Sequence, residues 1–95
     1  MFARLSTGQM KSEKLDELIR IYEESIVPAA ESQNGICGAY LLANRETGKV
    51  IAIAFWDKEE DAANEKTGYY QELSKTKYLL TAVPVCEIYE VCAQL

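Results

Sequence analysis

The stretch from Gly35 to Trp56, GICGAYLLANRETGKVIAIAFW, constrains the fold more than any other part of the chain. Residues 36 to 43 and 50 to 56 are rich in β-branched, aromatic and small apolar side chains, the composition of β-strands. Between them Asn44-Arg45-Glu46-Thr47-Gly48-Lys49 is polar, and Gly48 is free to take a positive φ, so the pair reads as a hairpin. If Asn44 and Lys49 close the loop, Ala43 lies opposite Val50, Leu41 opposite Ala52, Ala39 opposite Ala54 and Cys37 opposite Trp56. The alternate set pairs Leu42 with Ile51, Tyr40 with Ile53 and Gly38 with Phe55, because directly paired residues share a face. One face is then small and ends in Trp56; the other is bulky. Neither is polar, and a sheet that is apolar on both faces has to be covered on both.

The flanking segments supply one cover. A short first strand spans roughly Met1 to Thr7, with Gly8 as the expected break. A helix from about Lys11 to Ser32 follows, its apolar stripe formed by Leu15, Leu18, Ile19, Tyr22 and Ile26 at spacings of three and four. Glu13, Asp16 and Glu17 sit near its start, where the helix dipole favours acids. Pro28 predicts a kink or restart, and Asn34-Gly35 a stop. After Trp56, Asp57 is expected to cap a second helix, with Glu60 completing a capping-box-like pattern. That helix is expected to break at Thr67-Gly68 and resume through Tyr69, Tyr70 and Leu73 towards Tyr78. Pro84 marks the entry to a last strand, Val85 to about Ala93. The order β-α-β-β-α-β is the ferredoxin-like, split-βαβ arrangement of an α+β domain with a four-stranded antiparallel sheet. A chain of 95 residues without an internal linker fits one domain, 1–95.

Two helices cover one face of such a sheet. Ile36, Tyr40, Leu42, Ile51, Ile53 and Phe55 would lie bare on the other. Burying a side chain of that size is worth roughly 1.5–3 kcal/mol, a large share of a domain's marginal stability. A second copy packed sheet to sheet answers this, so a homodimer through the sheet face is expected.

The net charge of −5 argues against an electrostatic site for nucleic acid or an anionic membrane. No apolar run reaches the ~20 residues that span a bilayer, and MFARLSTGQMK has no basic segment followed by an apolar stretch, so no signal peptide is expected. Three cysteines make a poor disulfide framework, and Cys86 and Cys92 on one strand would stand beyond bonding reach. A cytoplasmic protein with reduced, buried thiols is the expectation. The chain has no histidine, which removes Ser-His-Asp and Cys-His nucleophiles and the histidine-containing zinc sites. Asp57, Glu59, Glu60 and Asp61 are read as a helix start and not as metal ligands.

Tyr22-x-x-Ser25-Ile26-x-Pro28, Gly35-x-x-Gly38-x-Tyr40-Leu41-Leu42, Thr47-Gly48 and Ile51-x-Ile53-x-Phe55-Trp56 followed by acids together resemble the antibiotic biosynthesis monooxygenase-like family. The resemblance implies a dimeric α/β barrel, with a pocket in each subunit between sheet and helices. It also implies chemistry on small molecules, in some members the oxidation of aromatic quinols or anthrones without metal or flavin. No cofactor is therefore expected. Monooxygenase members carry an Asn on the strand face shortly before the Trp, where this chain has Ala52. The haem-degrading branch ligates iron through a His that is absent here.

Trp56 is the first pocket candidate, as a flat surface for an aromatic ligand. Tyr69 and Tyr70, after the helix break, and Tyr22, on the helix stripe, are candidates for phenols lining the mouth. Ala52 belongs to the small face that would leave a cavity. Arg4, a charge in an apolar strand, would either steady an anion or pair with Glu87 or Glu90 on the last strand. Two functions follow: a cofactor-independent monooxygenase acting on a small aromatic, quinol-like compound, or a dimeric ligand-binding protein of the same fold without turnover.

Overall fold

A computed structural model describes residues 1–95. Four strands, β1 (Phe2–Gln9), β2 (Ile36–Asn44), β3 (Lys49–Trp56) and β4 (Val85–Glu90), form one antiparallel sheet in the order β2-β3-β1-β4. One helical run, Ser12 to Glu31, joins β1 to β2, and the shorter helices α3 (Glu59–Ala63) and α4 (Gly68–Ser74) join β3 to β4. This is the ferredoxin-like β-α-β-β-α-β order.

The first helical run changes pitch as it goes. A 3-10 turn, Ser12–Lys14, leads into α1 (Leu15–Ile21), a π-turn follows over Tyr22–Ile26, and α2 (Val27–Glu31) completes it. Pro28 explains the π-turn. Its ring would strike the carbonyl four residues back in a regular helix, and the wider turn, in which the Val27 N–H reaches the Tyr22 carbonyl, relieves the crowding. Leu15, Leu18, Tyr22, Ile26 and Ala30 all still point inward.

The hairpin register runs as expected from Asn44↔Lys49 to Gly38↔Phe55, and then a bulge intervenes. Ile36, not Cys37, stands opposite Trp56. Ile36 thereby moves to the helix side, where it packs on the core, and Cys37 is pushed out to solvent with its thiol 3.1 Å from Asp57. Asp57 is thus occupied elsewhere, and Lys58 stands at the N-cap of α3 without a side-chain cap. Thr67 does cap α4, its Oγ1 accepting from the Tyr70 N–H.

Gly8 does not end β1. It pairs with Val50 inside the strand, and a Cβ there would meet Leu80 at 3.1 Å, so its missing side chain makes room for that leucine. Gly48 adopts φ +79° as the hairpin loop closes, and its N–H donates to the Asn44 carbonyl at 2.8 Å. A Cβ on Gly48 would lie 2.0 Å from the Met10 carbonyl oxygen, so only glycine fits.

Two buried clusters lie between sheet and helices. One gathers Tyr22, Ile26, Ala54, Trp56, Ala62, Tyr69 and Tyr70; the other gathers Met10, Leu15, Leu18, Val50 and Leu79. The opposite face of the sheet has no helix over it. Tyr40, Leu42, Val85 and Tyr89 are half exposed or more there, beside the partly covered Leu5, Ile51, Ile53 and Phe55. The three cysteines are free and exposed, contrary to the expectation of burial, because Cys37 is bulged, Cys86 lies on an edge strand and Cys92 follows the end of β4. No helix is long and apolar enough to cross a membrane.

Candidate functional site

A cavity of about 320 Å³ opens where the two core clusters meet, between the helix-side face of the sheet, α4 and the segment that leads into β4. Its floor follows from strand alternation. Arg4, Ser6 and Gly8 are alternate residues of β1 and share one face, with Val50 and Ala52 of β3 on one side and Cys86 of β4 on the other. Its roof carries Tyr70, Leu73 and Thr76. The wall is half apolar, and its charged groups are Arg4, Glu65 and Lys77. Two cations against one acid make this a locally positive place in a chain of net charge −5.

Arg4 is the most constrained of these. The residue is only 8% exposed, and its stem lies opposite the small Ala54. Nη1 donates to the carbonyl of Ala62 at 3.3 Å, near the C-terminal end of α3, where a cation is favoured. Nη2 donates to Glu65 Oε1 at 3.1 Å, and the guanidinium carbon sits 4.2 Å from the centre of the Tyr70 ring. Nε is buried and has no partner. The anticipated pairing with Glu87 or Glu90 does not form: Arg4 stands opposite Ile88, and Glu87 lies on the other face of the sheet. Glu65, which does pair with it, is itself largely exposed.

Of the six candidates, Arg4, Ala52 and Tyr70 line the cavity, while Trp56, Tyr69 and Tyr22 do not. Trp56 is 1% exposed and lies in the core behind Tyr70, its indole N–H donating to the Tyr70 hydroxyl at 2.8 Å. The two rings stack at a tilt, with centroids 5.7 Å apart. Tyr69 packs edge-on against Tyr70 and shares a 2.9 Å hydroxyl contact with Tyr22. Burial pushes the Tyr70 phenol up to about 12, opposed by the Trp56 hydrogen bond and the charge of Arg4. Tyr69 and Tyr22 are also raised, foremost by burial. All three are therefore neutral near pH 7, and Tyr70 contributes a neutral aromatic residue to the wall. Glu65, Thr76, Lys77 and Cys86 were not foreseen as lining residues. Cys86 faces Ser6 across the β1–β4 pair, and its sulfur is 3.3 Å from the Ser6 hydroxyl.

No family model matches the chain. Among curated proteins it is similar to the uncharacterized protein Rv2557 of Mycobacterium tuberculosis (strain H37Rv), with 26% identity over 93 residues and 98% of this chain covered. The chain spans about two fifths of that relative's length, 42%. Among solved structures it superimposes on Rv0793 of Mycobacterium tuberculosis with a TM-score of 0.74 and 12% identity, over 98% of this chain and 96% of the other. A Nitrosomonas europaea protein, provisionally named an antibiotic biosynthesis monooxygenase, gives a TM-score of 0.77 at 12% identity, over 98% and 100% of the two chains. A third structure, named simply antibiotic biosynthesis monooxygenase, gives 0.72 at 13% identity over 98% and 100%. The fold is that of the antibiotic biosynthesis monooxygenase-like proteins. At these identities the likeness is one of backbone, and the chemistry has to be read from the cavity.

Proposed function

We propose that this protein binds one small aromatic molecule in the cavity between sheet and α4, and that the reaction suited to this site is oxygenation of a quinol-like ring without a bound cofactor. The observation that carries the reading is the cavity itself. At about 320 Å³ it lies at the lower end of ordinary ligand sites, and it combines an apolar wall with one buried cation, Arg4, and one neutral phenol, Tyr70. A guanidinium beside a bound phenol favours the phenolate, and the phenolate is the electron-rich form that reacts with dioxygen. The balance closes on the substrate alone: a quinol and dioxygen give a hydroxyquinone and water. One oxygen atom enters the ring and the other leaves as water, and the ring supplies all four electrons. The protein's part is to exclude water, orient the ring and hold the anion.

The neighbours provisionally or simply named as monooxygenases support this reaction class. The second reading, a ligand-binding protein without turnover, is favoured by Ala52, a methyl group where the resemblance implies an amide, and by the seclusion of Trp56 from the cavity. In both readings the working unit is a cytoplasmic homodimer, with the apolar sheet faces packed on each other.

An oxygen electrode decides between them. Purified protein, treated with chelator, should consume dioxygen with at least one of a panel of benzene and naphthalene quinols, with hydroxyquinone formed in equal amount. Saturable binding of the same quinols with no uptake above the uncatalysed rate selects the binding protein. Absence of both binding and uptake discards the site.

A further inference from the structure

The Arg4 guanidinium is only partly used. One Nη1 donor goes to Ala62 and one Nη2 donor to Glu65, while the buried Nε–H has nothing. In any guanidinium the Nε–H and one Nη2–H point the same way, and together they match the two oxygens of a carboxylate. Glu65 takes only one bond, from Nη2. Its side chain is 77% exposed, and it stands on the loop between α3 and α4, so it can leave for water at little cost. Arg4 cannot leave: its stem is buried, its face lies on Tyr70, and its Nη1 holds the end of α3. A buried donor without a partner is costly, so the free protein keeps an unmet demand for an acceptor on a residue that lines the cavity. Lys77 adds a second positive charge to the lining.

We propose that the cavity holds an anion subsite and that its ligand is an aromatic carboxylate, whose acid group bridges Nε and Nη2 of Arg4 and displaces Glu65. The apolar part of the wall, from Ala52 and Val50 to Leu73, receives the ring. This rests on the reading of the cavity as a ligand site and names the class of compound that fills it. Glu65 then acts as an internal stand-in, screening the buried cation when the site is empty and competing with the ligand for it.

Three probes that share one quinol ring test this by calorimetry: gentisate, which carries a carboxylate; gentisamide, its uncharged isostere; and hydroquinone, which has neither group. Gentisate should bind about tenfold to a hundredfold more tightly than gentisamide, the range for a charge-assisted pair of hydrogen bonds. Glu65→Gln should raise gentisate affinity several-fold and leave gentisamide within about twofold. Arg4→Lys keeps the charge but loses the fork, and it should lose most of the preference while still binding gentisamide, which shows the cavity intact. Equal affinity for gentisate and gentisamide overturns the anion subsite and leaves the cavity reading standing. Binding of none of the three at millimolar concentration overturns both. A preference that survives Arg4→Lys and disappears with added salt would place the discrimination on an exposed charge, and that too overturns the assignment.

Discussion

Replacing Tyr70 by Phe removes one oxygen atom from the best-connected point of the core. The ring would stay, and with it the stack on Trp56, the edge contact with Tyr69 and the face beneath Arg4. The hydroxyl that accepts the Trp56 indole N–H at 2.8 Å would go. Trp56 is 1% exposed, so water cannot take over as acceptor, and the N–H becomes a buried donor without a partner. That costs about 1–3 kcal/mol. Taking about 2 kcal/mol, a domain of this size should melt roughly 8–16 °C lower. The assay is urea unfolding followed by the emission of this single Trp, at fixed protein concentration so that association does not shift the midpoint. The midpoint should fall with an unchanged slope. Tyr78→Phe is the control: its hydroxyl meets Glu17 at the surface, and its loss should change stability by less than about 0.5 kcal/mol. A Tyr70→Phe protein as stable as its Tyr78→Phe counterpart would refute the account of Trp56 as a hydrogen-bonded core residue.

Alkali should unfold the protein through the same cluster. Tyr22, Tyr69 and Tyr70 are raised when folded, Tyr70 to about 12, and titrate near 10 when unfolded. Their contribution is therefore complete below pH 10 and declines as pH climbs from 10 to 12, which urea midpoints across that window should show. Gly48→Ala should cost about 3 kcal/mol or more, or prevent folding, because both φ +79° and the Met10 carbonyl oppose a Cβ. Gly68→Ala, at the start of α4 with only the tip of the Gln33 side chain nearby, should be tolerated in the same urea titration. Light scattering at micromolar concentration should give twice the mass of one chain, whereas a stable monomer would leave the bare sheet face unexplained.

Much of the fold was legible because its signals are local and redundant. Alternation in residues 36–43 and 50–56 set the hairpin register, the stripe Leu15-Leu18-Tyr22-Ile26 set the buried face of the first helix, and Thr67-Gly68 marked a real break. The errors arose where one residue's geometry depends on a distant partner. A bulge at Cys37 shifts one residue and so exchanges the faces of Ile36 and Cys37, which no period-two pattern reveals. Gly8 looked like punctuation, yet it answers to Leu80, far along the chain. The site was half legible. Arg4 stood out as a charge among apolar neighbours, and strand alternation puts it on the helix side. Its actual partners, Ala62 and Glu65, lie on a helix and a loop whose approach only the packed structure defines. Trp56 drew attention for its size, but a large aromatic fills a core as readily as it walls a pocket, and here the smaller Tyr70 stands between it and the cavity.

A crystal structure of the protein soaked with gentisate tests the central claim most directly. The account predicts one ring per chain in the cavity beneath Tyr70, with its carboxylate on Arg4 and Glu65 turned to solvent. Density confined to the outer sheet face, with the cavity empty and the Arg4–Glu65 pair undisturbed, would contradict it.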